Sequence, residues 1–122
     1  MTGTASSVTA STWAPFRIEP SFVARVWGHR SLRPWFDYAS EGELIGEVWL
    51  TGDQCVAATG RHAGDTLGRL FEASPDSLLG EHVLASGSPL LIKVLFAREK
   101  LSVQVHPDDV LAHKYEIGRA HV

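Results

Sequence analysis

The hydrophobic and polar positions near the carboxyl end of the chain alternate as they do in β-strands. Two apolar runs, residues 90–97 and 101–106, are separated by a short charged segment, and this pattern predicts a β-hairpin. Side chains alternate between the two faces of a strand, so Ser102, Gln104 and His106 are expected to share one face. The predicted hairpin therefore has one apolar face and one polar face.

The rest of the pattern predicts a mainly antiparallel β architecture with short helices. Residues 16–19, 43–50 and 54–59 are strand-like runs; the first ends at a proline and the other two are bounded by glycine. Residues 66–73 have apolar side chains at the spacing of one helix face. These segments are close together in the sequence, and no internal repeat or interdomain linker separates them.

Two further helices are predicted from residues that favour helix ends. A short turn of helix is expected to begin near Pro75 and to end at Gly80. The last helix is expected to begin at residues 107–109 and to run toward Tyr115, because acidic side chains are favourable at a helix N-terminus.

Gln104 and His106 fit half of a metal site. At a rise of about 3.3 Å per residue they lie roughly 6.6 Å apart along a strand, close enough for both side chains to reach one ion. A glutamine oxygen and a neutral imidazole suit a divalent ion such as zinc, which takes about four ligands. Spacing by itself favours the alternative, the solvated face of a half-buried strand.

Four segments of the sequence resemble one enzyme family. Residues 89–109, together with 16–28, 45–52 and 64–67, are similar to the N-terminal part of the type I phosphomannose isomerases. This resemblance implies a cupin-like antiparallel β-sandwich (jelly roll) that is incomplete in this chain. It also implies a zinc-dependent aldose-ketose isomerase that interconverts mannose 6-phosphate and fructose 6-phosphate and supplies GDP-mannose synthesis.

The same resemblance assigns roles to four residues. Gln104 and His106 match the first two zinc ligands of the family, Ser102 matches a serine at the substrate pocket, and Lys93 matches a lysine near the sugar phosphate. A lysine suits that role because its ammonium is a compact charge with three donors. The implied reaction moves a proton between neighbouring sugar carbons through an enediol, and the sequence does not identify the base.

The chain departs from the family after the first pair of ligands. The third ligand, a glutamate, is expected shortly after Tyr115 and the fourth, a histidine, much later, and the sequence has neither. We therefore expect residues 16–115 to be the N-terminal part of the catalytic domain, with weak zinc binding and no measurable isomerisation. Residues 1–15 are expected to be a disordered lead-in, and residues 116–122 a non-native tail.

A second function remains open from the sequence. The alternative is a noncatalytic cupin-like sugar-binding or regulatory module, in which the same polar face holds a ligand without converting it to a product. A continuation of the reading frame with the missing glutamate and histidine would favour the enzyme, and a different continuation would favour binding alone.

Composition narrows the classes of partner. A net charge of -3 provides no basic patch, so nucleic acid is not expected as a partner. No apolar run approaches the roughly 18 residues that a membrane span needs. One cysteine, Cys55, excludes an internal disulfide and is expected to be a buried thiol, which together with the absence of a signal sequence indicates the cytoplasm. Oligomeric state stays open.

Several conspicuous residues have plain structural interpretations. Glu47 and Trp49 share a strand face, so Glu47 could approach a polar pocket, although a solvated or salt-bridged glutamate is the more common arrangement. The tryptophans are expected at the core or its edge rather than as sugar-stacking platforms. They are Trp13, Trp27, Trp35 and Trp49.

Overall fold

The structure of the protein is a computed structural model that describes residues 13–81 and 87–115. These residues form two small antiparallel sheets and three short helices. The predicted class, mainly antiparallel β with short helices, is confirmed, and the sheets of the described part stay open. Within the same residues, no helix has the length and hydrophobicity that a membrane span requires.

The larger sheet has three antiparallel strands with β3 in the middle. β2 (Ser21–His29) and β5 (Lys93–Leu95) flank β3 (Ile45–Trp49). The pairing of β2 with β3 shifts register twice, and such shifts bend a strand and increase its twist. On the other side of β3, Lys93 lies directly opposite Trp49. β3 is the central strand of this sheet, and four of its five residues are buried.

The smaller sheet pairs β1 (Ile18–Glu19) with β4 (Val56–Ala57) in antiparallel orientation. These strands and β3 lie within the predicted runs 16–19, 54–59 and 43–50, each shorter than predicted. The regular ladder covers only the part of each run that has a paired strand beside it.

The first helix, α1 (Leu67–Ala73), confirms the prediction from apolar spacing. It begins after Thr66, whose side-chain oxygen accepts a hydrogen bond from the Arg69 backbone N–H at 3.3 Å. Leu67 and Leu70 of this helix are buried. The capping oxygen satisfies an otherwise free N–H, and the leucines attach the helix to the smaller sheet.

The other two helices also begin and end as predicted. α2 (Pro75–Leu79) has proline in its first turn and ends at Gly80, whose φ of 87° is a conformation that glycine adopts without strain. α3 (Asp109–Lys114) is capped by Asp108, which accepts a hydrogen bond from the Leu111 N–H at 2.8 Å. Local side-chain chemistry is sufficient to define these ends.

Two separate hydrophobic clusters hold the described residues together. The buried residues of the first, between the smaller sheet and α1, are Cys55, Ala57, Leu67 and Leu70. The buried residues of the second, on the larger sheet, are Leu32, Ile45 and Val48. Aromatic rings complete the second cluster, with Phe22 stacked on Tyr38 at 4.3 Å between ring centroids. Each sheet thus has its own small core.

The tryptophan prediction is right in part. Trp13 and Trp49 are half-buried and pack against the first cluster, as expected. Trp35 is 78% exposed, so its predicted place in the core is wrong. Trp35 lies in a loop between β2 and β3, where the second cluster is already filled by the rings of Phe22 and Phe36.

The predicted hairpin is wrong. β5 spans Lys93–Leu95 alone and pairs with β3, whereas residues 101–106 have no regular secondary structure. Val103 and Val105 are fully or almost fully exposed. A strand needs both a partner and a surface for its apolar face, and the described part of the chain provides neither for residues 101–106.

β2 was not predicted, although it is the longest strand of the described residues. Its sequence has apolar side chains in adjacent positions and lacks strict alternation, because the shifts of register interrupt the period of two. Trp13 packs on the first cluster, so the packed part of the chain begins before residue 16. The rest of the predicted lead-in, residues 1–12, and the predicted tail, residues 116–122, lie outside the described residues.

Candidate functional site

A half-open cavity of about 410 Å³ lies against the larger sheet. Its walls come from all three strands and from the segment that follows β5. The polar and charged side chains among its lining residues are Glu47, Lys93, Glu99, Lys100, Ser102 and Gln104. Three of the four predicted site residues, Lys93, Ser102 and Gln104, therefore meet at one cavity, and His106 is not among the residues that line it.

Glu47 is a buried charged residue that lines this cavity. Only 6% of the residue is exposed, yet it is surrounded by donors. Lys93 Nζ lies 3.5 Å from Glu47 Oε1, and Arg25 Nη2 lies 3.2 Å from Oε2. The indole N–H of Trp49 donates to the same Oε2 at 2.7 Å. The carboxylate is therefore held by two cations and one neutral donor.

Strand geometry explains why these side chains meet. Glu47 and Trp49 are two residues apart on β3 and so project from the same face. Lys93 is the direct cross-strand partner of Trp49, which brings its side chain onto that face as well. The Lys93 ammonium nitrogen lies 5.7 Å from the centre of the Trp49 ring, within the range of a cation–π contact.

The surroundings of Glu47 determine its charge. Burial raises the pKa of this carboxyl, but the Trp49 hydrogen bond and the positive charges of Lys93 and Arg25 outweigh that effect. The net result is a pKa below the ordinary value of 4.5. Glu47 is therefore ionised at neutral pH, as the salt-bridged alternative in the sequence analysis anticipated.

Ser102 and Gln104 are linked directly. Gln104 Nε2 donates a hydrogen bond to Ser102 Oγ at 2.6 Å, so these two side chains lie on the same side of the chain even though no strand forms there. This bond uses the amide nitrogen of Gln104. The amide oxygen, which is the atom a metal would need, is on the other branch of the amide.

The described residues do not complete a metal site. They contain no group of three or more His, Cys, Asp or Glu side chains that could hold an ion. Gln104 and His106 are both exposed and have donor atoms that zinc accepts, but they supply two of the roughly four ligands that zinc takes. The donor types fit zinc and their number does not.

Glu47 and Arg25 were not predicted as residues of the site. Glu47 carried a signal, because it shares a strand face with Trp49, but its partner Lys93 is far along the chain and only the β3–β5 register brings them together. Arg25 carried no signal, since it lies in the part of β2 where the register shifts. Its side chain reaches Glu47 from the strand on the opposite side of β3.

Other candidate residues have structural roles. His62 stacks on Trp13 at 4.5 Å between ring centroids and accepts a hydrogen bond from Arg61 Nε at 2.9 Å. Cys55 is buried, as predicted, and burial raises the pKa of its thiol. A buried thiol with a raised pKa is a poor nucleophile.

Comparison with known proteins places this geometry in a family. The family model described as phosphomannose isomerase type I, catalytic domain, matches residues 15–120. The probable mannose-6-phosphate isomerase GmuF of Bacillus subtilis (strain 168) is 37% identical over 110 residues, covering 85% of this chain and 34% of that protein. The mannose-6-phosphate isomerase ManA of the same organism is 36% identical over 111 residues, covering 88% of this chain and 34% of that protein.

A solved structure agrees with the sequence relatives. The crystal structure of the mannose 6-phosphate isomerase from Bacillus subtilis matches with a TM-score of 0.72 and 34% identity, over 87% of this chain and 34% of that one. The match confirms the cupin-like antiparallel β fold, incomplete in this chain. The chain spans about a third of the length of these relatives. With a family model that covers most of its residues and relatives more than a third identical, this chain belongs to the type I phosphomannose isomerase catalytic-domain family.

Proposed function

We propose that this chain provides the sugar-phosphate contact and the first zinc ligands of a mannose-6-phosphate isomerase. The observation that carries the proposal is the meeting of Lys93, Ser102 and Gln104 at one cavity of about 410 Å³. These residues come from a strand and from an irregular segment after it, so the fold has to bring them together. The substrate is a phosphorylated hexose, and the reaction interconverts mannose 6-phosphate and fructose 6-phosphate.

The lining of the cavity offers a cation for a phosphorylated ligand. Its four charged residues, Glu47, Lys93, Glu99 and Lys100, balance one another. Arg25 does not line the cavity, but its guanidinium shares the Glu47 carboxylate with Lys93, so that carboxylate is not committed to the Lys93 ammonium alone. The Lys93 side chain is 18% exposed, so its ammonium is shielded from bulk water and still accessible from the cavity. A partly shielded ammonium is a strong partner for a phosphate.

Zinc is part of the proposal through Gln104 and His106. When bound there, zinc supplies a Lewis acid to the sugar oxygens. Ser102 holds the amide nitrogen of Gln104 at 2.6 Å and thereby restricts the plane of the amide, which supports a role for the Gln104 oxygen as a ligand. With two ligands from this chain, we expect weak zinc binding and no turnover, and we assign the base to none of its residues.

We place the enzyme in the cytoplasm as part of the same proposal, where it connects fructose 6-phosphate with the synthesis of GDP-mannose. The single cysteine, Cys55, is a buried free thiol, which is compatible with a reducing compartment.

A titration followed by NMR tests the ligand assignment. Mannose 6-phosphate, and mannose as its uncharged match, are added to the ¹⁵N-labelled 122-residue chain. We expect mannose 6-phosphate to shift the signals of Lys93, Ser102 and Gln104, and mannose to have a much smaller effect. Lys93→Ala should abolish the difference, whereas Lys114→Ala, which removes an exposed lysine on α3, should leave it intact. Equal responses to both sugars would overturn the assignment.

A chimaera separates the enzyme from a binding module. Residues 16–115 of this chain replace the corresponding part of ManA from Bacillus subtilis, so that the predicted tail is left out, and isomerisation is measured by coupling fructose 6-phosphate to a dehydrogenase. We expect activity that is lost with Gln104→Ala or His106→Ala. A folded chimaera that binds mannose 6-phosphate and does not isomerise it would favour the noncatalytic alternative.

A further inference from the structure

We propose that Glu47 is a positioning residue that holds the Lys93 ammonium at the cavity wall and thereby sets the affinity of the site for a phosphate monoester. This inference rests on the proposed function, because it concerns the same cavity. It adds a role for a buried carboxylate that touches neither the sugar nor a metal in that proposal. The evidence is that the two carboxylate oxygens of Glu47 have different hydrogen-bond and ion-pair partners.

The two carboxylate oxygens have different partners. Oε2 receives the Trp49 indole N–H at 2.7 Å and the Arg25 guanidinium at 3.2 Å. Oε1 faces Lys93 Nζ at 3.5 Å. Because two donors bind one oxygen, they restrict the orientation of the carboxylate. The other oxygen is thereby directed toward Lys93. The ammonium is therefore directed by a group whose own orientation is fixed by two different strands.

Lys93 needs such a partner. A lysine side chain has four rotatable bonds and loses much conformational freedom when it is ordered. In this structure its Nζ is bounded by the Trp49 ring on one side and by Glu47 on the other, and the side chain is 18% exposed. A shielded ammonium without an anion would turn toward water. A phosphate would then have to order the side chain again at the cost of affinity.

Charge alone predicts the opposite effect, and this makes the inference testable. Removing a negative charge near an anion site strengthens anion binding by Coulomb attraction. Removing a positioning group weakens it. Glu47→Gln keeps the size of the side chain and an oxygen that can accept from Trp49, and it removes the charge that holds Lys93. The sign of the change in affinity therefore distinguishes the two effects.

The matched control is Glu99→Gln. Glu99 lines the same cavity and is exposed, so this substitution also removes one negative charge from the wall, without a contact to Lys93 among the described ion pairs. We expect it to bind mannose 6-phosphate at least as tightly as the wild-type chain. For Glu47→Gln we expect roughly tenfold weaker binding, the size typical of a lost charge-assisted contact.

A ligand-free measurement separates this inference from the proposed function. The mobility of the Lys93 side chain is measured by relaxation of its ¹⁵Nζ signal in the wild-type chain and in both variants. We expect mobility to rise in Glu47→Gln and to stay unchanged in Glu99→Gln. If the wild-type chain does not bind mannose 6-phosphate, the proposed function fails, and the relaxation data still show whether Glu47 orders Lys93.

Two results for Glu47→Gln would overturn the inference: binding of mannose 6-phosphate that is equal to or tighter than that of the wild type, and unchanged mobility of Lys93. Should Glu47→Gln not fold, Glu47→Asp is measured instead, because it keeps the charge and shortens the side chain. Weaker binding by Glu47→Asp agrees with the inference, whereas wild-type binding and mobility overturn it. Failure of both Glu47 variants to give a folded amide spectrum also overturns it and would make Glu47 a folding residue.

Discussion

Lys93 and Trp49 are direct cross-strand partners on β5 and β3, and the Lys93 ammonium nitrogen lies 5.7 Å from the centre of the Trp49 ring. The same indole donates its N–H to Glu47 at 2.7 Å. One aromatic side chain therefore contacts the cation through its face and the anion through its edge, in agreement with the charge distribution of an aromatic ring. The ion pair is built across two paired strands.

Trp49→Phe is expected to raise the pKa of Glu47. Phenylalanine keeps an aromatic face for Lys93 and lacks the N–H that favours the charged carboxylate. The measurement is the pH titration of the Glu47 side-chain carbonyl by ¹³C NMR. Trp35→Phe, at a ring that is 78% exposed, is the control and should have no effect. Identical titrations of Glu47 in Trp49→Phe and the wild type would contradict this prediction.

The stability of the fold is expected to fall in acid through Glu47. The pKa of this carboxyl is below its ordinary value of 4.5 in the folded chain, so folding favours the ionised form. Its contribution to the free energy of unfolding is complete above pH 4.5 and is lost as the pH falls through the lower, folded pKa. Urea unfolding from pH 7 to pH 3 measures this loss. In Glu47→Gln the curve should be flatter below pH 4.5, and a curve parallel to that of the wild type would exclude the assignment.

Two valines distinguish the observed structure from the hairpin expected from the sequence. Val48 is 0% exposed in the centre of β3, and Val103 is fully exposed. We expect Val48→Ala to lower the free energy of unfolding by about 2 kcal/mol, because it leaves a cavity in the second cluster. Val103→Ala should change it by less than about 0.5 kcal/mol. If urea unfolding shows a large loss of stability in Val103→Ala, Val103 is packed in the folded chain, as the hairpin requires.

Zinc binding by the 122-residue chain is expected to be weak and to depend on Gln104 and His106. Two protein ligands leave most of the coordination shell to water. Competition with a chromophoric chelator gives the affinity. Gln104→Ala and His106→Ala should each weaken binding, while His113→Ala, at an exposed histidine on α3, serves as the control. Equal affinities in all four proteins would remove both residues from the set of ligands.

The sequence determined the local structure wherever a few neighbouring residues suffice. α1 was predicted from the apolar spacing of residues 66–73, α2 from Pro75 and Gly80 at its ends, and α3 from the acidic side chains within residues 107–109. In the structure Thr66 and Asp108 cap α1 and α3. The interaction range of a capping residue is three or four positions, all of it visible in the sequence. Likewise, the resemblance of residues 89–109 to one family selected Lys93, Ser102 and Gln104, which the fold brings to one cavity.

Tertiary structure decided which segments pair and what the site contains. Residues 101–106 alternate like a strand but have no regular structure, while β2 does not alternate and is nine residues long. Alternation reports a possible buried face, and only packing decides whether a partner and a surface are present. The ion pair between Glu47 and Lys93 depends on the register of β3 with β5. Hydrogen bonds between distant segments set that register, and no local pattern encodes it.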